Sequence, residues 1–345
     1  MIELRSDNAA GVAPEVLAAV QEANTGSALA YGGDDLTAHL HDVVRDVFEH
    51  PTARVFPVTS GTAANSLAIS AATPPWGAVL CHPSAHIITA EGGATSLFGG
   101  GAVMQGVAGA HALIDPDNLR SALDGVRWGD PHESQPSVLS LTVPSDFGTV
   151  YQPDEIKVLT AIARERGLKV HLDGARVANA VAALGCTPAD LTWRAGVDVM
   201  ALGATKNGAL SAEAIVAFDE EIADELVYRT KRAGHVTSKM RFQSAQLAAY
   251  LTDGLWLRLA ANSNERMATL AAELGAIDGV RLVERVDVNM AFAELPAAAI
   301  DVVTDAGVCF YRNGPSDIRL VTSWQTTAED VAQAAALFRA AMTSP

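Results

Sequence analysis

The sequence predicts an α/β chain in which a mainly parallel sheet is covered by helices and followed by a smaller C-terminal α/β domain. Three observations predict it. Apolar runs of strand length alternate with helix-like periodic segments through most of the chain. A length of 345 residues with 49% hydrophobic content supplies a large buried core. Near Asp253 the alternation gives way to one long helix, short strands and a final helix. The expected division is a large domain over residues 1–252 and a small one over 253–345.

In chain order, residues 54–58 read as a strand entering Ser60-Gly61-Thr62 and a helical run over 63–68. Pro153 stands where a first helical turn tolerates proline, Ile156, Leu159, Thr160 and Ala163 follow at helical spacing, and Gly167 ends the helix. Residues 168–173 form the next strand, and 197–202 a further buried strand that runs into a polar, glycine-rich turn at Gly203. Past the long helix, short strands are expected over 280–283 and 289–294. Thr326 and Glu329 stand at capping-box spacing ahead of Val331, Ala334, Ala335 and Phe338 on one helical face.

Composition excludes several function classes. Forty acidic against 24 basic residues give a formal charge of −16, which repels nucleic-acid backbones and anionic membranes. Cys81, Cys186 and Cys309 lack the spacing of a zinc site or a disulfide framework, so each is expected as a reduced core residue and no metal is expected. The N-terminus is charged where a signal peptide needs an apolar run, and no apolar stretch has membrane-spanning length. A cytoplasmic protein is expected.

Asp173 falls at the carboxyl end of one strand and Lys206 just beyond the next, where open α/β sheets place ligands. A lysine amine can form a Schiff base with an aldehyde cofactor, and a carboxylate facing a pyridine nitrogen keeps that nitrogen protonated. The same pair could be a surface ion pair. Ser60-Gly61-Thr62 at a helix start would cradle a phosphate, although a serine there also simply caps a helix. His86, ahead of Glu91-Gly92-Gly93, could stack on a flat cofactor or move protons; a lone histidine is more often structural. Arg176 and Arg319 could each grip a carboxylate through a bidentate fork, or link elements by ion pairs. The basic group Arg229, Lys231, Arg232, Lys239 and Arg241 fits a solvated helix face as well as an anion site.

Taken together, these segments resemble the low-specificity L-threonine and phenylserine aldolase family, pyridoxal-phosphate (PLP) enzymes of the β-eliminating lyase group. Arg5-Ser6-Asp7-Asn8 is similar to that family's opening motif, Tyr31-Gly32-Gly33-Asp34-Asp35 to its tyrosine loop, and Ser60-Gly61-Thr62 to its phosphate loop. His86 with Glu91-Gly92-Gly93 resembles the ring-stacking histidine segment, and His171-Leu172-Asp173-Gly174-Ala175-Arg176 the most specific motif. Thr205-Lys206-Asn207-Gly208 stands where the PLP lysine is expected, and Met240-Arg241 and Arg319-Leu320-Val321-Thr322 complete the match.

The resemblance implies fold type I, the aspartate-aminotransferase fold with a seven-stranded sheet. It implies PLP held by Ser60, Gly61, Thr62, His86, Asp173, Arg176, Thr205, Lys206 and Arg241, and substrate held by Ser6, Tyr31, Arg176 and Arg319. Lys206, His86 and Asp173 would be catalytic. It also implies a homodimer with shared sites, Tyr31 and Arg241 coming from the partner chain, with dimers pairing into tetramers. The reaction implied is carbon–carbon lysis of L-threonine, L-allo-threonine or L-phenylserine to glycine and an aldehyde. Where many members carry a second histidine, this chain has residues 141–148, with Asp146; its motifs around Lys206 and Arg241 look like the branch with bacterial phenylserine aldolases. His86 is the first choice for the catalytic base and Asp146 the second. The rival expectations are a PLP-dependent β-eliminating lyase or dehydratase on serine-type substrates, which would form pyruvate and ammonia, and a catalytically idle PLP-binding protein.

Overall fold

Short apolar segments pair into a seven-stranded sheet in the computed structural model, which describes residues 1–343. In spatial order the strands are Arg54–Val58, Glu213–Ala217, Val199–Leu202, Lys169–Gly174, Gln135–Thr142, Gly77–Cys81 and Val103–Gly106. Glu213–Ala217 runs against both its neighbours and the remaining pairs are parallel. Strands covered by helices on both faces read as continuous apolar runs rather than alternating ones. Val199–Leu202 and Glu213–Ala217 accordingly have every residue buried.

Helix Pro153–Glu165 turns Ile156, Leu159, Thr160 and Ala163 inward, as its spacing requires, and Gly167 follows at φ 75°. Because two successive antiparallel pairings restore the direction of Arg54–Val58, the strands other than Glu213–Ala217 end on one edge. The turns leaving them therefore share a rim. Gly203 makes that rim compact: a Cβ there would lie 2.1 Å from the Ala175 carbonyl oxygen.

The C-terminal residues form an antiparallel sheet in the order Tyr311–Arg312, Asp317–Val321, Met290–Glu294, Arg281–Leu282. Its core is packed by helices Ala297–Asp305 and Ala328–Thr343 and has its own buried cluster. Two features join the segments on either side of residue 252. Ile2–Glu3 pairs in parallel with Val308–Cys309, and Ile2 and Leu4 lie in the C-terminal core, a long-range contact that so short a strand does not announce. Helix Leu255–Gly275 serves both cores, the large one through Leu255, Trp256 and Ala260 and the small one through Met267, Leu270 and Leu274.

Two smaller expectations are corrected. The capping box of the last helix is Thr327 with Asp330, each accepting from the other's backbone N–H at 3.1 and 2.9 Å, one residue later than expected. Thr326 instead accepts from Ser323 N at 2.9 Å, which closes the preceding turn. Cys81 is buried, whereas Cys186 and Cys309 are only half-buried. Among the described residues no helix is long and apolar enough to cross a membrane, and no metal-ligating cluster is present.

Candidate active site

The rim encloses a cavity of about 190 Å³ lined by residues from five turns, among them Gly61, His86, Asp146, Asp173, Arg176 and Lys206. Lys206 lies on a 3-10 turn, Thr205–Asn207, that is anchored on both sides. The buried Glu213 carboxylate accepts from Ala204 N at 2.8 Å and Thr205 N at 3.3 Å. Asn207 Nδ2 donates to Tyr250 Oη at 2.9 Å and to the Trp256 carbonyl at 2.8 Å. Burial, reinforced by the Arg176 charge, pushes the Lys206 amine below the ordinary lysine range. More of it is therefore neutral and nucleophilic.

Asp173 is 2% exposed, and each of its oxygens accepts one hydrogen bond: Oδ1 from Ala175 N at 3.1 Å, Oδ2 from Asn65 Nδ2 at 2.9 Å. Its position at a strand end next to Thr142 turns it toward the cavity. Ser60 caps helix Gly61–Ala72 by accepting from Ala63 N at 3.2 Å. The first N–H groups of that helix have no intrahelical acceptor, and an added Cβ on Gly61 would meet nothing within 4 Å. An open helix start with a positive dipole end suits a phosphate.

The two arginines differ. Arg176 donates through Nε and Nη2 to Asp7 at 2.6 and 2.8 Å, and Asn289 Nδ2 donates to the same carboxylate at 3.1 Å. Burial raises Asp7, but the charge and hydrogen bonds of Arg176, together with the Lys206 charge and the Asn289 hydrogen bond, outweigh it and hold the carboxyl below its ordinary range. Two donors of the Arg176 fork are thus engaged within the chain, which leaves Nη1 for a ligand. Arg319, on strand Asp317–Val321, donates from Nη2 to the Arg5 carbonyl at 3.3 Å and lies over the Tyr311 ring. Its Nε is buried without an acceptor, and burial together with Arg176 lowers its pKa. A buried guanidinium donor without an acceptor is destabilising unless a ligand meets it.

Asp146 follows the strand Gln135–Thr142 on a loop fixed by Ser145 and Thr149, whose hydroxyls donate to the His111 carbonyl at 3.3 and 2.5 Å. Phe147 meets Phe292 edge-on at 5.6 Å, which ties the loop to the C-terminal sheet. The Asp146 carboxyl makes no hydrogen bond with the described residues. Burial, then the nearby Asp173, raises its pKa to about 6.

Of the expected site residues, Ser6, Tyr31, Ser60, Thr205, Arg241 and Arg319 do not line this cavity within the chain. Tyr31 is exposed at φ 58°, has the Lys231 ammonium 4.6 Å from its ring centroid, and lines a separate cavity of about 620 Å³. Arg241 lies over Phe242 and reaches the Gly26 carbonyl at 3.4 Å. Ser6 Oγ accepts from Asn8 N at 3.2 Å, and Thr205 Oγ1 donates to the Ala212 carbonyl at 3.3 Å. Of the other basic residues, Arg229 pairs with Glu225. Sequence reasoning missed Asn65 and Glu213 altogether and carried Asp7 and Glu91 only as motif letters. An asparagine inside the apolar helix Gly61–Ala72 and a glutamate opening a fully buried strand were the available signals.

A model of the family described as beta-eliminating lyase matches residues 3–298. The chain belongs to the beta-eliminating lyase family. The matched stretch carries Lys206, Asp173 and Arg176, while Arg319 lies beyond it. Two relatives are similar over nearly their whole length. A low specificity L-threonine aldolase of a Pseudomonas species is 39% identical over 343 residues, 99% of this chain and 98% of that one. The Pseudomonas aeruginosa protein of the same name is 41% identical over 342 residues, again 99% and 98%. The solved structure of Leishmania major threonine aldolase superposes at a TM-score of 0.93 with 26% identity, covering 99% of this chain and 100% of that one. Thermus thermophilus aspartate aminotransferase, at 16% identity and a TM-score of 0.70 over 99% and 91% of the two chains, shares the fold. The fold is therefore that of the fold type I enzymes.

Proposed function

We infer that the chain is a PLP-dependent carbon–carbon lyase that cleaves L-β-hydroxy-α-amino acids, of the L-threonine, L-allo-threonine and L-phenylserine type, reversibly to glycine and an aldehyde. The observation that carries this reading is one cavity that combines the buried amine of Lys206 with the carboxylate of Asp173, with the uncompensated Arg319 close by. Full-length relatives named as threonine aldolases point the same way.

The residues fit the cofactor. Lys206 would hold its aldehyde carbon, Asp173 its ring nitrogen, the open start of helix Gly61–Ala72 its phosphate, with Ser60 and Thr62 flanking, and His86 the face of its ring. Arg176 Nη1 would lie near the ring hydroxyl. Bound PLP supplies an electron sink for breaking the Cα–Cβ bond.

The chain's own groups do the rest. Arg319, with Arg176 Nη1, grips the substrate carboxylate, which fixes the orientation of the bond to be broken. A base takes the proton from the β-hydroxyl oxygen. His86 is proposed for that step, and a second reading is favoured by one observation, the unpartnered Asp146 carboxyl with its raised pKa of about 6. Tyr31 and Arg241 are proposed to reach the cavity of a partner chain in a cytoplasmic homodimer, and dimers to pair as tetramers. The rival β-elimination reading draws on the family description.

Incubating the purified, PLP-loaded protein with L-threonine, L-allo-threonine, L-phenylserine and their D-isomers, and measuring aldehyde, tests the substrate class. Aldehyde from the L-isomers alone is expected. Equal release from D-isomers, or none from any, would contradict the assignment.

A further inference from the structure

Two buried polar side chains at the cavity have no part in the reading above. Asn65 is 2% exposed on helix Gly61–Ala72, and its Nδ2 lies 2.9 Å from Glu91 Oε1 and 2.9 Å from Asp173 Oδ2. A side-chain amide nitrogen carries two hydrogens, so one is directed at each carboxylate. The reverse rotamer would set a carbonyl oxygen against both, so the orientation is fixed by chemistry. Glu91 Oε1 also lies 2.9 Å from His86 Nδ1, and its side chain is only 1% exposed.

A carboxylate only accepts, so the hydrogen of this contact belongs to His86 Nδ1. Nε2 is then the ring nitrogen left to exchange protons. Four charged groups act on His86: Glu91, Asp173, Asp146 and Lys206. The Glu91 hydrogen bond leads the first two in raising its pKa against burial and the Lys206 charge.

We propose that Asn65 and Glu91 are positioning residues: Asn65 ties Glu91 to Asp173, and Glu91 holds His86 with its proton on Nδ1, committing Nε2 to the β-hydroxyl proton of the substrate. When the substrate O–H bond breaks and an Nε2–H bond forms, the imidazolium lies against Glu91. Its proton leaves to water or product when Nε2 is released. A base oriented by a buried acid, itself held by a third group, is the logic of a triad built from different residues. The proposal rests on the reading of His86 as a proton-moving group.

The experiment is an NMR titration of the full chain labelled with 15N-histidine, with and without PLP. His86 should titrate above the ordinary value of about 6.5 and remain the Nδ1–H tautomer once neutral. Glu91→Gln should lower that midpoint by about one unit or more, move the acid limb of kcat with it, and change KM by less than about twofold. Glu91→Asp should recover part of the shift. Asn65→Leu should leave a mixture of tautomers and weaken PLP binding about tenfold, as loss of a donor to a buried carboxylate does.

A neutral His86 protonated on Nε2 alone would overturn the proposal without any variant, and so would an unaltered midpoint in Glu91→Gln. Tautomer and midpoint as expected without aldehyde from any β-hydroxy amino acid would remove the proposed function and leave the positioning role standing. Aldolase turnover with an Nε2–H histidine would do the reverse.

Discussion

At the scale of single residues, the site is a set of charges that the chain only partly neutralises. Arg176 has its carboxylate within the chain, Asp7, while Arg319 has none, and that difference predicts their behaviour. Arg319→Lys should raise KM by about tenfold to a hundredfold with the cofactor spectrum unchanged, because a lysine cannot supply two parallel donors to a carboxylate. Steady-state kinetics with a scan of the visible spectrum checks it; an altered spectrum with native KM would move Arg319 to the cofactor. The pH profile separates the two candidate bases. A base acts deprotonated, so activity is lost as pH falls through its pKa. If Asp146 is the base, His86→Phe keeps an acid limb near pH 6, moved upward because the His86 charge that lowers the Asp146 pKa is gone. If His86 is the base, kcat in that variant falls by about a hundredfold or more. Asp173 and Lys206 were expected at strand ends from local pattern, and Arg176 from the motif over residues 171–176; the fold brings all three to the lining of one cavity. Asn65 was not expected, since its partners, Glu91 and Asp173, come from distant segments and only the fold brings them together.

At the scale of elements, what could be read was whatever local pattern decides. Helix Pro153–Glu165 and strands Lys169–Gly174 and Val199–Leu202 follow from proline and glycine punctuation and apolar runs. What could not be read was decided by long-range contacts: the pairing of Ile2–Glu3 with Val308–Cys309, and the sharing of helix Leu255–Gly275 between two cores. The turn that carries Lys206 depends on the close approach of Gly203 to Ala175, 2.1 Å for an added Cβ. Gly203→Ala should therefore destabilise the protein by about 3 kcal/mol or more, since backbone rather than a flexible side chain must move. Urea unfolding measures this, and a midpoint equal to that of the native chain would show that the turn relaxes freely.

At the scale of the whole molecule, the cavity lacks Tyr31 and Arg241, and the chain exposes apolar side chains where it could meet a copy of itself. Tyr228, 76% exposed, lines one cavity with the 76% exposed Leu97 and another with Tyr31. If Arg241 serves the partner's site, inactive Lys206→Ala and Arg241→Ala chains should complement when mixed. In a two-fold dimer one site collects both defects and the other neither. With random exchange about half the dimers are mixed, so recovery should approach roughly a quarter of native activity. Mixed dimers that form, by tagged-subunit capture, yet stay inactive would place Arg241 in its own chain's site or in none.

Which bond breaks is read from the products of L-threonine. The PLP-loaded protein should release glycine and acetaldehyde in equal amounts, with no ammonia, and Lys206→Ala should release neither. Ammonia with a 2-oxo acid in place of glycine would show that the site eliminates the β-hydroxyl instead of cleaving the Cα–Cβ bond, and would contradict the assignment.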